Sequence, residues 1–303
     1  MNKENIKISA AFIAVCVIWG STYLAIRIGV SDLPPELFMG IRFVIAGGIM
    51  IGITLIRKRN FPVAKDVLKI SVVGLFLLTG ANGLVAYAEQ WVHSGITALI
   101  LAILPLFIAC IELFIPGRSR LDYKGWIGLL AGFGGVAVLV LSGSNIDSIN
   151  ISGAIMLVAA ALLWAIGSVY SKSFSPSGSI TSQIGIQMLA GGLFQCVNGI
   201  LLGEVARFHF TAKGFGAFLY LIMVGSLLGY SSYIYVLKNW SAAKAGTFAY
   251  VNPIVAVFLG AVVLSEQITL MIILASILIL GGVFLVQISK SRYKAGNDSI
   301  ISE

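Results

Sequence analysis

Few side chains in this sequence are able to do chemistry, and most of them interrupt apolar stretches. Arg42 sits in GIRFVIAGG, Glu89 and His93 in AYAEQWVHSG, Glu112 in IACIELF, Asn82 in TGANGLV, and Asn252 directly before Pro253 in AYVNPIV. An ionised group inside hydrocarbon costs at least ~2.5 kcal/mol unless it snorkels or finds a partner. Arg42 therefore has two readings: an anchor for a substrate carboxylate, or a structural ion pair with Glu36, Asp32 or Glu89. Glu89 and His93 can relay protons in a partly dry vestibule, because small shifts carry an imidazole across neutral pH. They can also be polar groups wetted at an interface. Glu112 is a third candidate for proton coupling, or a partner for Lys124 or Arg118.

Aromatic side chains form the second group: Trp19, Tyr23, Tyr87, Trp91, Trp164, Tyr230, Tyr233 and Tyr250. Some belong to interfacial belts. Trp19, Trp164, Tyr230 and Tyr250 are too deep for a belt, and either pack helices or line a cavity for a compact amphipathic solute. Substrate contacts are accordingly expected from Trp19, Tyr23, Arg42, Asn82, Tyr87, Trp164, Tyr230, Tyr250 and Asn252. Pro105 and Pro253 lie inside apolar runs. A proline removes a backbone donor and frees a carbonyl one turn earlier, so each marks a helix break or a packing kink.

The elements that position these groups follow from composition. Of 303 residues, 58% are hydrophobic and 11% charged, with a mean hydropathy of +0.99. Soluble domains carry about 25% charged residues, so most of this surface must face lipid. Ten apolar runs of spanning length can be read, near 8–28, 36–56, 68–90, 95–115, 123–141, 152–171, 182–202, 214–237, 245–264 and 268–288. Helices are required, because hydrocarbon cannot satisfy an open backbone and the runs exceed barrel-strand length. The basic N-terminal flank imitates a signal peptide, but the run continues to Ile26, which makes it a retained first helix. The expected fold class is an all-α polytopic membrane protein.

Of the 20 Lys and Arg, all but Arg27, Arg42, Arg207 and Lys213 fall on one side of this topology. That bias places both termini in the cytoplasm and explains the net charge of +8 without a nucleic-acid partner. Cys16, Cys110 and Cys196 lack metal or disulfide spacing, and His93 and His209 lack ligand-spaced partners, so neither metal nor cofactor is expected. With no HExxH, GxGxxG or Walker-type motif, neither an intramembrane enzyme nor a nucleotide-driven machine is indicated.

The chain also repeats itself. VIWGSTYLAIR (17–27) is echoed by LLWAIGSVYSK (162–172), GIRFVIAGGI (40–49) by GIQMLAGGL (185–193), and GFGGVAVLV (132–140) by LILGGVFLV (278–286). Pro105 and Pro253 align the fourth and ninth runs. The offset stays near 145 to 148 residues. Five spans per copy is an odd number, so the copies enter the membrane from opposite sides. Such inverted repeats are common in secondary transporters, whose helix breaks expose backbone to substrate. Expected units are 1–145, 146–290 and a disordered cytoplasmic tail at 291–303. The Gly-rich fifth and tenth spans read as scaffold or as protomer contacts of a homodimer.

WGSTYLAIR, the RF of GIRFVIAGG, the Pro-centred fourth and ninth spans, LSEQIT (264–269) and GGVFLV together resemble the EamA-like family of the drug/metabolite transporter superfamily, over about residues 8–289. The resemblance implies ten helices in two inverted five-helix repeats. It also implies spans 1, 3, 4, 6, 8 and 9 around a central cavity, with 5 and 10 peripheral. The implied function is an inner-membrane permease exporting or exchanging small organic metabolites, such as amino acids. An uncoupled facilitator and a non-transporting sensor or scaffold are the alternatives. One departure stands out: the family often has an acidic residue after the fourth span, matching Glu266 after the ninth, and Arg118 falls near that place here.

Overall fold

The computed structural model describes residues 3–115, 121–141 and 150–298. Arg118 and Arg120, and residues 299–303 of the expected tail, lie outside these. Among the described residues, ten helices are long and apolar enough to cross a membrane: α1 (Glu4–Val30), α2 (Pro35–Ile56), α3 (Ala64–Ala88), α4 (Ser94–Leu113), α5 (Tyr123–Val140), α6 (Ile151–Ser171), α7 (Ile180–Leu201), α8 (Ala212–Asn239), α9 (Ala242–Leu264) and α10 (Leu270–Ser289). No strand occurs among the described residues. The helical segment that contains α10 runs on to Asp298, past the expected start of the tail. We call the side where α1 begins the near side, and the other the far side.

Helix pairing follows the repeat. If helix n of the first half matches helix n + 5 of the second, α1 against α8 mirrors α6 against α3, and α1 against α9 mirrors α6 against α4; both contacts of each pair occur. The most extensive packing joins helices to their own mates, α2 with α7 and α5 with α10. Irregularities are mirrored too. A π-helical stretch occupies Leu75–Asn82 in α3 and Leu221–Tyr230 in α8. α4 is interrupted between Leu101 and Leu104, just before Pro105. α9 passes through a 3₁₀ stretch, Gly246–Tyr250, before resuming at Asn252 and Pro253. Both breaks thus fall at the prolines that the sequence pairs.

Polar residues at the helix ends close the backbone that hydrocarbon cannot. Asn150, Ser179, Thr211 and Ser241 cap α6, α7, α8 and α9 through their side-chain oxygens. The cations that end the twin motifs do the converse. Arg27 donates to the carbonyl of Glu89, at the end of α3. Its mate Lys172 donates to the carbonyls of Leu237 (3.0 Å) and Lys238 (3.3 Å), at the end of α8. Each cation meets the negative end of a helix dipole.

Candidate functional site

A cavity lies where the two halves meet. It encloses about 720 Å³ between atoms, its mouth included, and is walled by α1, α2, α3, α4, α6, α8 and α9. This is the expected ring of six helices with one addition, α2, which contributes Arg42 and Phe43. Trp19, Tyr23, Arg42, Asn82, Trp164, Tyr230 and Asn252 all line it. Tyr87 and Tyr250 do not. Tyr87 lies on another face of α3 and its hydroxyl meets Glu204. Tyr250 turns to α10 and donates to the carbonyl of Val283 at 3.2 Å.

Arg42 is 4% exposed and its partners are neutral. Nε donates to Ser226 Oγ at 2.8 Å, Nη1 approaches Met39 Sδ at 3.5 Å, and the guanidinium lies 4.6 Å from the centre of the Phe43 ring. Among the described residues no carboxylate bonds to it, so the ion pair with Glu36, Asp32 or Glu89 is absent. The guanidinium fork has five donors, which these contacts do not exhaust. Among the described residues, no Asp or Glu lines the cavity.

An aromatic floor closes the near-side end. Trp19 meets Trp164, Tyr233 and Phe248 with ring centres 5.0 to 5.1 Å apart. Hydrogen bonds fix these rings: Trp19 Nε1 to the carbonyl of Gly225 (3.3 Å), Trp164 Nε1 to Tyr233 Oη (3.0 Å), Tyr233 Oη with Ser168 Oγ (2.6 Å), and Tyr230 Oη to Gln187 (2.7 Å). The helix breaks border the cavity through Leu101, Leu104, Phe248 and Asn252. With its amide turned so that both atoms are satisfied, Asn252 Nδ2 donates to the carbonyls of Phe248 (3.2 Å) and Cys16 (2.9 Å). It therefore occupies a carbonyl next to the break instead of leaving it for a solute. Asn82 behaves similarly, donating to Leu77 O at 3.0 Å across the π stretch.

The proton-coupling candidates separate. Glu112 is buried, but about two turns beyond Leu104, the last α4 residue at the cavity. His93 and Glu266 border a small recess on the far side. Glu266 accepts from Ser94 N, Ser94 Oγ and Gly95 N at 2.9 to 3.2 Å, and so caps α4. Glu89 is 0% exposed, and among the described residues neither of its carboxyl oxygens has a hydrogen-bond partner. Burial pushes its carboxyl well above the ordinary carboxylate range; Arg27 opposes this shift and Glu266 adds to it.

That shift makes stability depend on pH. The unfolded chain releases the Glu89 proton near the ordinary value, roughly pH 4.3, whereas the folded protein keeps it to higher pH. The stabilisation is complete below the unfolded value and is lost as pH rises through the folded one. The melting temperature of the purified protein should fall as pH rises above the ordinary carboxylate range, and Glu89→Gln should flatten that fall. Parallel curves for the two proteins would refute the assignment.

Composition concealed several groups. Ser226 and Phe43 help to place Arg42, and Phe248 completes the floor, yet Ser and Phe are ordinary residues in an apolar helix. Gln187 had a signal: it stands opposite Arg42 in the repeat, at the same place in GIQMLAGGL.

A model of the EamA-like transporter family matches the chain twice, over residues 6–141 and 151–288. The protein belongs to the EamA-like transporter family. The uncharacterized inner membrane transporter YedA of Escherichia coli (strain K12) is 36% identical over 97% of this chain and 94% of its own. The uncharacterized transporter YoaV of Bacillus subtilis (strain 168) is 29% identical over 95% of this chain and 99% of its own. A crystal structure covering 94% of this chain and 98% of that one superposes with a TM-score of 0.69 at 20% identity, a likeness of fold alone. This EamA-like chain is thus a transporter with ten spans in two inverted halves, and its central cavity is the place to look for a solute.

Proposed function

We propose that this EamA-like transporter is an inner-membrane permease that exports or exchanges small organic metabolites bearing a carboxylate, amino acids or related acids among them, by alternating access. The observation that carries the reading is Arg42, a buried guanidinium without a carboxylate partner, facing an aromatic-walled cavity between inverted halves. A bound carboxylate supplies the counter-charge and accepts from the free arm of the fork. The ring floor offers an apolar seat for the rest of the molecule. The Lys and Arg bias assigns the near side, with both termini, to the cytoplasm. Two halves of opposite orientation give two mirrored arrangements, one open to each side.

Counterflow into proteoliposomes tests this reading, using a panel of organic acids, neutral amino acids and amines. Accumulation of an acid, abolished by Ala161→Phe at the cavity wall, is the expected result. Ala161 is buried and small, and a phenyl group there fills the solute's place. No accumulation of any carboxylate by folded protein, or undiminished counterflow in the Ala161→Phe variant, would refute it. An imposed pH gradient that leaves the rate unchanged would point to exchange or uncoupled facilitation in place of proton-driven export.

A further inference from the structure

Behind α3, as seen from the cavity, a second polar group joins the far-side ends of α2, α3 and α7. Leu78, Ala81, Asn82 and Val85 of α3 face the cavity. Thr79, Gly83 and Tyr87, spaced by four, share another face. Thr79 Oγ1 donates to Gly191 O at 2.9 Å. A Cβ on Gly83 would lie 3.1 Å from Gln195 Nε2 and 3.4 Å from Glu36 Oε1, which puts these two side chains together. Tyr87 Oη is 3.4 Å from Glu204 Oε1. Glu204, in the turn after α7, is 1% exposed and accepts from Leu37 N (2.8 Å) and Glu36 N (3.4 Å), capping α2. Glu36 is 6% exposed and Gln195 0%. Glu36 Oε2 and both amide atoms of Gln195 are buried without a hydrogen-bond partner among the described residues. Among the described residues, no Lys or Arg bonds to either carboxylate.

The repeat supplies an internal control. Shifted by the offset of 145, Glu36 corresponds to Thr181 and Glu204 to Arg59. On the near side Arg59 Nη1 donates to Thr181 Oγ1 at 3.0 Å, and the nearby Gln183 amide donates to the carbonyls of Pro176, Ser177 and Gly178. The same joint is thus built once from neutral groups and a cation, and once from two carboxylates and an unsatisfied amide. Capping α2 requires only Glu204. Glu36 adds a second acid beside the first, where burial without a counter-charge is costly.

We propose that Glu36 and Glu204, with Gln195 and Tyr87, form a proton-binding site distinct from the solute cavity, through which a proton gradient acts on the transport cycle. Its role in transport rests on the permease reading; proton binding itself does not. Two neighbouring buried carboxylates without a counter-charge repel each other, and binding one proton relieves that repulsion. The unsatisfied Gln195 amide, which meets Glu36 beside Gly83, and the Tyr87 hydroxyl, 3.4 Å from Glu204 Oε1, are the polar groups that face the pair. A divalent cation is a poorer occupant, because it takes six or more oxygens. The other titratable or charged groups near Glu36 and Tyr87 are Cys196 on α7 and Arg207 beyond Glu204. α3 carries the site on one face and the cavity on another, and its π stretch, Leu75–Asn82, contributes residues to both. Gain or loss of the proton changes the charge at the α2–α3–α7 seam, and α2 also bears Arg42.

The test is a pH jump on proteoliposomes adsorbed to a solid-supported membrane, with no organic solute present. Wild-type protein should give a transient charge displacement that titrates with pH and is indifferent to exchanging sodium for potassium. Glu36→Gln should reduce it about tenfold, and Gln195→Leu, which keeps both acids, should move its midpoint by about one pH unit. A full-size displacement in folded Glu36→Gln protein overturns the proposal. So does an unshifted midpoint in Gln195→Leu, a loss confined to Glu89→Gln, or a displacement evoked by sodium at constant pH. No solute is used, so a negative counterflow panel leaves this test intact, and the two readings fail separately.

Discussion

Arg42→Gln is expected to lower transport of a carboxylate-bearing solute by about 100-fold while leaving the protein folded. Truncating one partner of a buried charged hydrogen-bonded pair costs about 2–5 kcal/mol, and about 2.7 kcal/mol already corresponds to 100-fold. Arg42→Lys is expected to recover only part of the rate, because a point charge does not reproduce the planar fork. The measurement that separates this role from a structural one is thermal stability. A guanidinium whose partners are Ser226, Met39 and Phe43 remains an uncompensated buried charge, so neutralising it should hold or raise the melting temperature. A structural ion pair predicts the opposite, a clear loss of stability. Transport of an ester or amine analogue should fall far less than that of the acid; equal losses would mean that Arg42 does not read the carboxylate.

The second large effect concerns the scaffold. Gly282 in α10 faces Gly128 and Gly132 in α5. A Cβ added at Gly282 would stand 2.5 Å from Gly128 O and from Gly132 N, both backbone atoms that no rotamer change can move. Gly282→Ala should therefore force the helices apart and cost about 3 kcal/mol, seen as a lower melting temperature in detergent. The adjacent glycine is the control. A Cβ at Gly281 meets nothing within 4 Å, so Gly281→Ala should be neutral or slightly stabilising. Equal melting temperatures for the two variants would refute close α5–α10 packing. The Gly-rich fifth and tenth spans thus serve as a scaffold within one chain.

The sequence by itself determined the architecture, and the reason is the solvent. Hydrocarbon demands about 20 apolar residues per crossing and a closed backbone, so spans and their number can be read from composition along the chain. The repeat followed from offsets, and with it the pairing of Trp19 with Trp164, Pro105 with Pro253, and Arg27 with Lys172. The positions of the helix breaks were readable too, because proline acts through its own backbone.

Only the tertiary structure decided which side of each helix faces what. A soluble helix advertises its buried face by polarity, but a helix in lipid is apolar all round and carries no such stripe. Tyr87 and Tyr250 were for that reason indistinguishable in sequence from Trp19 and Tyr230, yet they turn away from the cavity. Arg42 could be placed in depth from sequence, but whether it had a carboxylate partner depended on the turn of α2 against α8. Glu36 and Glu204 lie 168 residues apart. Their juxtaposition exists only because α2 packs along α7, so spacing along the chain gave no sign of it.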